Sequence, residues 1–146
     1  MQVNITNKQR RRINKQRLGE VAEAVMAAEG CHPSAELSVV VGDDARIRKL
    51  NREYRKKDAA TDVLAFSQDA GPAGSEPLLG DVGISAETAA RQAKELGHRL
   101  MAEMEVLLAH GILHLTGWQD GTAAERKQMM RRAQEVLEQV EGEPRQ

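Results

Sequence analysis

The sequence predicts an α+β fold: a single domain, residues 1–146, in which a small mixed sheet of about four strands packs against several helices. Three observations carry this. Short β-branched or apolar runs bounded by turn residues recur along the first 85 positions. Longer stretches with apolar residues at helical spacing lie between and after them. At 146 residues the chain has the length of one domain with a sizeable core, and no linker or internal repeat divides it.

Taken in order, Val3-Asn-Ile-Thr alternates as a short first strand. From about 12 to 29, Ile13, Leu18, Val21, Val25 and Met26 approximate a helical stripe that Gly30 closes. Residues 36–41 are β-branched and compact, as in a buried strand, and Gly42-Asp43-Asp44 ends them. Asp44 is the expected cap of a helix to about 54, with Ile47, Leu50 and Tyr54 on one face. Residues 62–67 read as a third strand, 68–77 as a Gly/Ala/Pro-rich mobile surface loop, and 78–85 as a fourth strand. Ser85 is placed to cap a helix running to Leu96. After a break near Gly97 a helix from about 100 to 116 follows, with Glu103, Leu107, His110 and His114 close to one face. An amphipathic helix over about 123–140 and a frayed tail, 141–146, complete the chain.

Composition excludes several classes. With one cysteine, Cys31, the chain forms no internal disulfide and suits a reducing compartment, where that thiol reads as unreactive. No apolar run is long enough to span a bilayer, and the first residues lack the apolar core of a signal peptide, so a cytoplasmic protein with no membrane partner is expected. The net charge of −1 does not announce a nucleic-acid binder. The basic residues are nonetheless clustered: Lys8, Arg10, Arg11, Arg12, Lys15 and Arg17; Arg52, Arg55, Lys56 and Lys57; and Arg126, Lys127, Arg131 and Arg132. Each cluster suits a solvated helix face, and together they suit a surface that neutralises phosphates.

The chemistry concentrates in His110-Gly-Ile-Leu-His114-Leu-Thr-Gly117-Trp-Gln-Asp120. Two histidines four apart on a helix share a face, so both imidazoles can reach one cation. Gly117 is a natural helix stop, and the turn after it can return Asp120 as a third ligand. Two imidazoles, a carboxylate and an open position form the usual layout of a hydrolytic zinc centre. The HExxH pattern of metalloproteases differs, because its general base is the Glu after the first His. Here that position is Gly111, which cannot take a proton.

The same segment resembles the YbeY family of bacterial rRNA-maturation endoribonucleases, whose metal pattern is HGxLHLxGYDH. Two further segments support the likeness. Leu50-Asn-Arg-Glu-Tyr-Arg55-Lys-Lys-Asp58-Ala-Ala-Thr61-Asp62-Val-Leu-Ala-Phe-Ser67 is similar to that family's LNxxYRxKDxPTDVLSF signature, and Leu79-Gly-Asp81-Val-Gly-Ile-Ser85 to its LGDIxIS strand. The family's three histidines are not all present. Aligned without gaps, Asp120 takes the third histidine's place and Gln119 that of the family aspartate. With a one-residue insertion, Asp120 would be the family aspartate and the ligand would be lost at Gly121. The gap-free alignment is favoured because aspartate is a competent zinc ligand. The added negative charge should make bound water less acidic and shift preference toward harder ions such as Mn2+. Ala60 and Ala65 replace a family proline and serine, with modest effects on loop geometry expected.

The resemblance implies a single-strand-specific endoribonuclease that matures the 3′ end of 16S rRNA and serves ribosome quality control, with the rRNA precursor and the ribosomal small subunit as partners. It implies one Zn2+ ion, or Mn2+ or another divalent ion, held by His110, His114 and Asp120. Arg55, matching the family arginine implicated in activity, would stabilise charge on the phosphate, while Arg52, Lys56 and Lys57 would bind nucleic acid. Asp62 and Asp81 could orient the centre or simply form turns and caps. Trp118 could stack on a base or pack. Two alternatives remain at this point: a metallohydrolase with a non-RNA substrate such as a peptide, and a ribosome-associated assembly factor with a structural metal and little or no catalysis.

Overall fold

A computed structural model of the protein describes residues 1–67 and 78–140. The loop expected at 68–77 and the frayed tail at 141–146 lie outside the described residues. The elements run β1 (Gln2–Asn7), α1 (Lys15–Ala28), β2 (Glu36–Gly42), α2 (Asp44–Arg55), β3 (Val63–Phe66), β4 (Leu78–Ser85), α3 (Ala86–Leu96), α4 (Leu100–Leu115) and α5 (Ala123–Gln139). The four strands form one mixed sheet in the order β1-β2-β4-β3. β1 and β2 are parallel, β2 and β4 are parallel, and β3 runs antiparallel to β4 at the sheet edge.

Local sequence explains most boundaries. Asn14 accepts from the Arg17 N–H at 3.0 Å, so α1 begins three residues later than the apolar stripe suggests. Ser85 caps α3 as expected. Thr122 and Glu125 form a reciprocal capping box at the start of α5. The cap of α2 is Asp43, not Asp44. Asp44 is the first helical residue, and its carboxylate is drawn to α3, accepting from Ser85 Oγ, Thr88 Oγ1 and Arg91 Nη2.

The core lies between the sheet and the helices α1, α4 and α5. Leu18, Val21, Val25 and Met26 of α1 meet Leu37, Val39, Val41, Val82 and Ile84 of the sheet and Met104, Leu108, Ile112 and Leu113 of α4. Each such side chain contributes about 1.5–3 kcal/mol by leaving water. α4 packs against α1, α3, α5, β3 and β4 together, which is why it is apolar almost all round. Its buried Glu105 is neutralised by Arg17 at 3.0 Å, so this arginine is an interior ion partner and not part of a phosphate-binding surface. α2 lies on the opposite face of the sheet, where Ile47 is buried and Leu50 is half-buried. Tyr54 does not follow them inward. It is 59% exposed and stacks on Phe66. No helix among the described residues is long and apolar enough to cross a membrane.

Candidate active site

α4 delivers two histidines to the end of the sheet and then stops abruptly. Trp118 N–H donates to Leu113 O at 3.0 Å and Gly117 N–H to His114 O at 3.1 Å, the bonding pattern of a Schellman turn. Gly117 has φ +107°, a conformation that disfavours any residue with a Cβ. The chain therefore reverses within two residues and carries Asp120 back beside His114, with Nε2 and Oδ2 3.2 Å apart.

His110 sits one turn deeper. Its Nε2 is buried and has no hydrogen-bond partner among the described residues. Burial pushes its pKa down, and the nearby His114 adds to this; the carboxylates of Asp62 and Asp120 pull the other way and do not prevail. The imidazole is thus held neutral with a lone pair available, the form in which histidine binds metals. A neutral, unpartnered imidazole beside a second imidazole and a carboxylate is the right donor chemistry for a divalent cation. As they stand, the side chains are not gathered into a ligating group: among the described residues no three His, Cys, Asp or Glu are so arranged. His114 Nε2 and Asp120 Oδ2 lie within ion-pair distance of each other.

Between the histidines, Gly111 faces the sheet. A Cβ there would lie 2.7 Å from Val82 Cγ1, closer than real contacts allow, and a tight 3.1 Å from its Cγ2. α4 can approach β4 only because this position is glycine. The place of the HExxH glutamate is thus occupied by a helix–sheet contact, which removes the space a peptidase base would need.

A cleft of about 690 Å3 opens over this region, and its walls come from three elements. The end of α2 and the segment after it contribute Arg55 and Lys57; β3 and its approach contribute Asp62 to Ala65; α4 and its turn contribute His114, Trp118 and Asp120. The predicted basic cluster is split by this arrangement. Arg55 and Lys57 line the cleft, Arg52 lies 4.0 Å from Asp58, and Lys56 adopts φ +57° at the end of α2 outside the lining. Arg55 donates from Nη1 to Ala65 O at 3.2 Å. In the C-terminal cluster, Arg132 is tied to Glu29 and Glu135.

The two aspartates part company. Asp62 lines the cleft, accepts from the Val63 N–H at 2.8 Å and from Gln92 Nε2 at 3.2 Å, and so joins β3, α3 and the site. Asp81 lies on the α2 face of β4, while Val82 faces Gly111 on the other; an orienting role for Asp81 at the histidines is therefore corrected. Trp118 packs partly buried against the core, and its Nε1 donates to Glu29 Oε1, which favours packing over base stacking. Glu29 was not foreseen as part of the site: its contact with Trp118 spans 89 positions, and nothing local in the sequence signals it. Cys31 is half-buried, and burial raises its thiol pKa, consistent with an unreactive group.

The family model described as Endoribonuclease YbeY matches residues 4–141. Proteins named Endoribonuclease YbeY are similar to this chain across most of their length. The one from Pelotomaculum thermopropionicum is 48% identical, with 82% of each chain covered. The one from Geobacter metallireducens is 43% identical, with 98% of each covered. The solution structure of TM1509 from Thermotoga maritima shares the fold, with a TM-score of 0.64 at 22% identity over 94% of this chain and 88% of that one. With the site and the fold in place, the chain belongs to the YbeY endoribonuclease family.

Proposed function

We propose that this protein is a metal-dependent endoribonuclease, specific for single-stranded RNA, that matures the 3′ end of 16S rRNA and takes part in ribosome quality control in the cytoplasm, with the rRNA precursor and the small subunit as partners. The observation that carries the reading is one cleft in which Arg55 and Lys57 line the same space as His114 and Asp120, in a chain whose relatives are named endoribonucleases.

His110, His114 and Asp120 would hold one divalent ion, Zn2+ or a harder ion such as Mn2+. Bound there, the ion would supply an acidified water and draw charge from a phosphoryl oxygen. The chain's own residues do the rest. Arg55 is anchored on Ala65 O by one N–H, and the rest of its planar fork is suited to two phosphate oxygens. Lys57 adds a point charge at the same wall. Asp62, fixed by the Val63 N–H and by Gln92, faces His110 with negative charge. Neither a peptidase nor a non-catalytic assembly factor is favoured, since Gly111 leaves no space for a base and the relatives carry an enzyme's name.

The test combines metal content with RNA cleavage. Protein purified without chelator should carry near-stoichiometric metal that Asp120→Ala loses. His114→Ala should slow cleavage of a single-stranded RNA by more than the roughly 10–100-fold typical of a lost outer partner. A folded His114→Ala variant with unchanged cleavage would overturn the metal mechanism. Equal metal in wild type and Asp120→Ala would remove Asp120 from the ligand set.

A further inference from the structure

On the α2 face of the sheet, across β3 from the cleft, two of the chain's three aromatic rings are stacked. Tyr54 and Phe66 lie with centroids 4.5 Å apart and planes 6° from parallel. Rings that only need packing sink into a core, and Tyr54 does not: it ends α2 59% exposed. The pair borders a hollow of about 280 Å3 whose other walls include Asn4, Thr6 and Ser38, all exposed polar residues, and Arg46. Asp81 also lines it, so the rim carries the Arg46 guanidinium as well as a carboxylate. Such a wall, one flat π-face with hydrogen-bonding donors and acceptors around it, suits a planar heterocycle better than an aliphatic side chain.

The hollow and the cleft are bordered by neighbouring residues of the same two segments, Tyr54 with Arg55 and Phe66 with Ala65. Arg55 follows Tyr54 in α2, and its Nη1 bonds the carbonyl of Ala65, the residue before Phe66. The arginine contact and the ring stack therefore clamp the same two segments at neighbouring positions, one opening to the cleft and the other to the hollow. A polynucleotide with one phosphate at Arg55 would bring an adjacent base to Tyr54.

We propose that Tyr54, backed by Phe66, is a stacking platform for one unpaired base of the RNA, adjacent to the phosphate held at Arg55. This rests on the endoribonuclease reading and deepens it, because a base held in a duplex cannot present its face to a ring, whereas an unpaired one can. The platform is then a source of single-strand preference that lies outside the metal cleft.

The experiment measures binding of fluorescently labelled single-stranded oligoribonucleotides by anisotropy, with a single abasic position moved along the strand. Tyr54→Leu keeps apolar cover over Phe66 and removes the π-face; Tyr54→Phe keeps both. In wild type, one abasic position should weaken binding about tenfold, the scale of a single base–aromatic stack. Tyr54→Leu should lose about the same on intact RNA and be insensitive to that abasic position, and Tyr54→Phe should behave as wild type. Thermal unfolding of Tyr54→Leu checks that the variant is folded. Equal affinities for wild type and Tyr54→Leu, with the same abasic profile, would overturn the platform while leaving the enzyme intact. Wild type that binds no RNA would overturn the platform together with the endoribonuclease reading.

Discussion

The indole Nε1 of Trp118 donates to Glu29 Oε1 at 2.5 Å, tying the turn that carries Asp120 to the end of α1. The same carboxylate accepts from Arg132 Nε of α5 at 2.9 Å. Three helices thus meet at one side chain that is itself 11% exposed. Glu29→Ala should cost about 1–3 kcal/mol by taking the acceptor from Trp118 Nε1 and Arg132 Nε, although Arg132 keeps Glu135 and Ala28 O. Trp118 is the chain's single tryptophan, so its fluorescence reports the turn directly. The variant should show red-shifted emission and an earlier urea midpoint, and unchanged emission would mean that the turn is held without Glu29.

Gly111→Ala should destabilise the protein. Overpacking against Val82 costs about 1–3 kcal/mol, and the gain in helix propensity returns at most about 1 kcal/mol. A denaturant midpoint equal to or above that of wild type would show that Val82 yields freely.

Acid should weaken the junction of α2 and α3 through Asp44. Burial opposes its charge, but hydrogen bonds from Ser85, Thr88 and Arg91 together overcome this and hold its pKa below the ordinary aspartate value. The folded protein therefore binds this proton less readily than the unfolded chain. The stabilisation is present above the unfolded value of about 4 and is lost as pH falls through the folded one. Asp44→Asn should flatten the fall in stability below about pH 4, as read from urea midpoints across that range. A variant with the wild-type slope would assign the acid sensitivity to other carboxylates.

The Arg17–Glu105 pair is a packing element carrying charge. Glu105→Gln removes the carboxylate that faces the buried Arg17 guanidinium and should cost up to about 3–5 kcal/mol, whereas Arg17→Met with Glu105→Leu should recover most of it. A loss below about 1 kcal/mol in the single variant would show that water or other groups already solvate Arg17.

Much of this architecture was legible because it is written locally. β2 and β4 announce themselves as apolar runs between turn residues, Ser85 as a cap, Gly97 and Gly117 as stops, and His110 with His114 as a pair one turn apart. The errors arise where distant groups decide. Asp43 and Asp44 are equivalent as caps until Ser85, Thr88 and Arg91, some 40 positions on, capture Asp44. Arg17 counts as surface charge until Glu105 is placed 88 residues away. Tyr54 fits the apolar stripe of α2 until the short β3 offers Phe66 at the edge. Asp81 and Asp62 look alike in sequence, and only the alternation of β4 sends Asp81 to the other face. The capping box at Thr122 and Glu125 is local too, since a threonine three residues before a glutamate is its spacing signature.

The bond from Arg55 to Ala65 O has a consequence for solubility. β3 is a four-residue strand at the open edge of the sheet, where an unpaired carbonyl can template hydrogen bonding to another chain. A guanidinium seated on that carbonyl places a charge in the path of any incoming strand. Removing Arg55 would uncover the edge as well as the cleft, so aggregation of such a variant would be a cost separate from its lost chemistry.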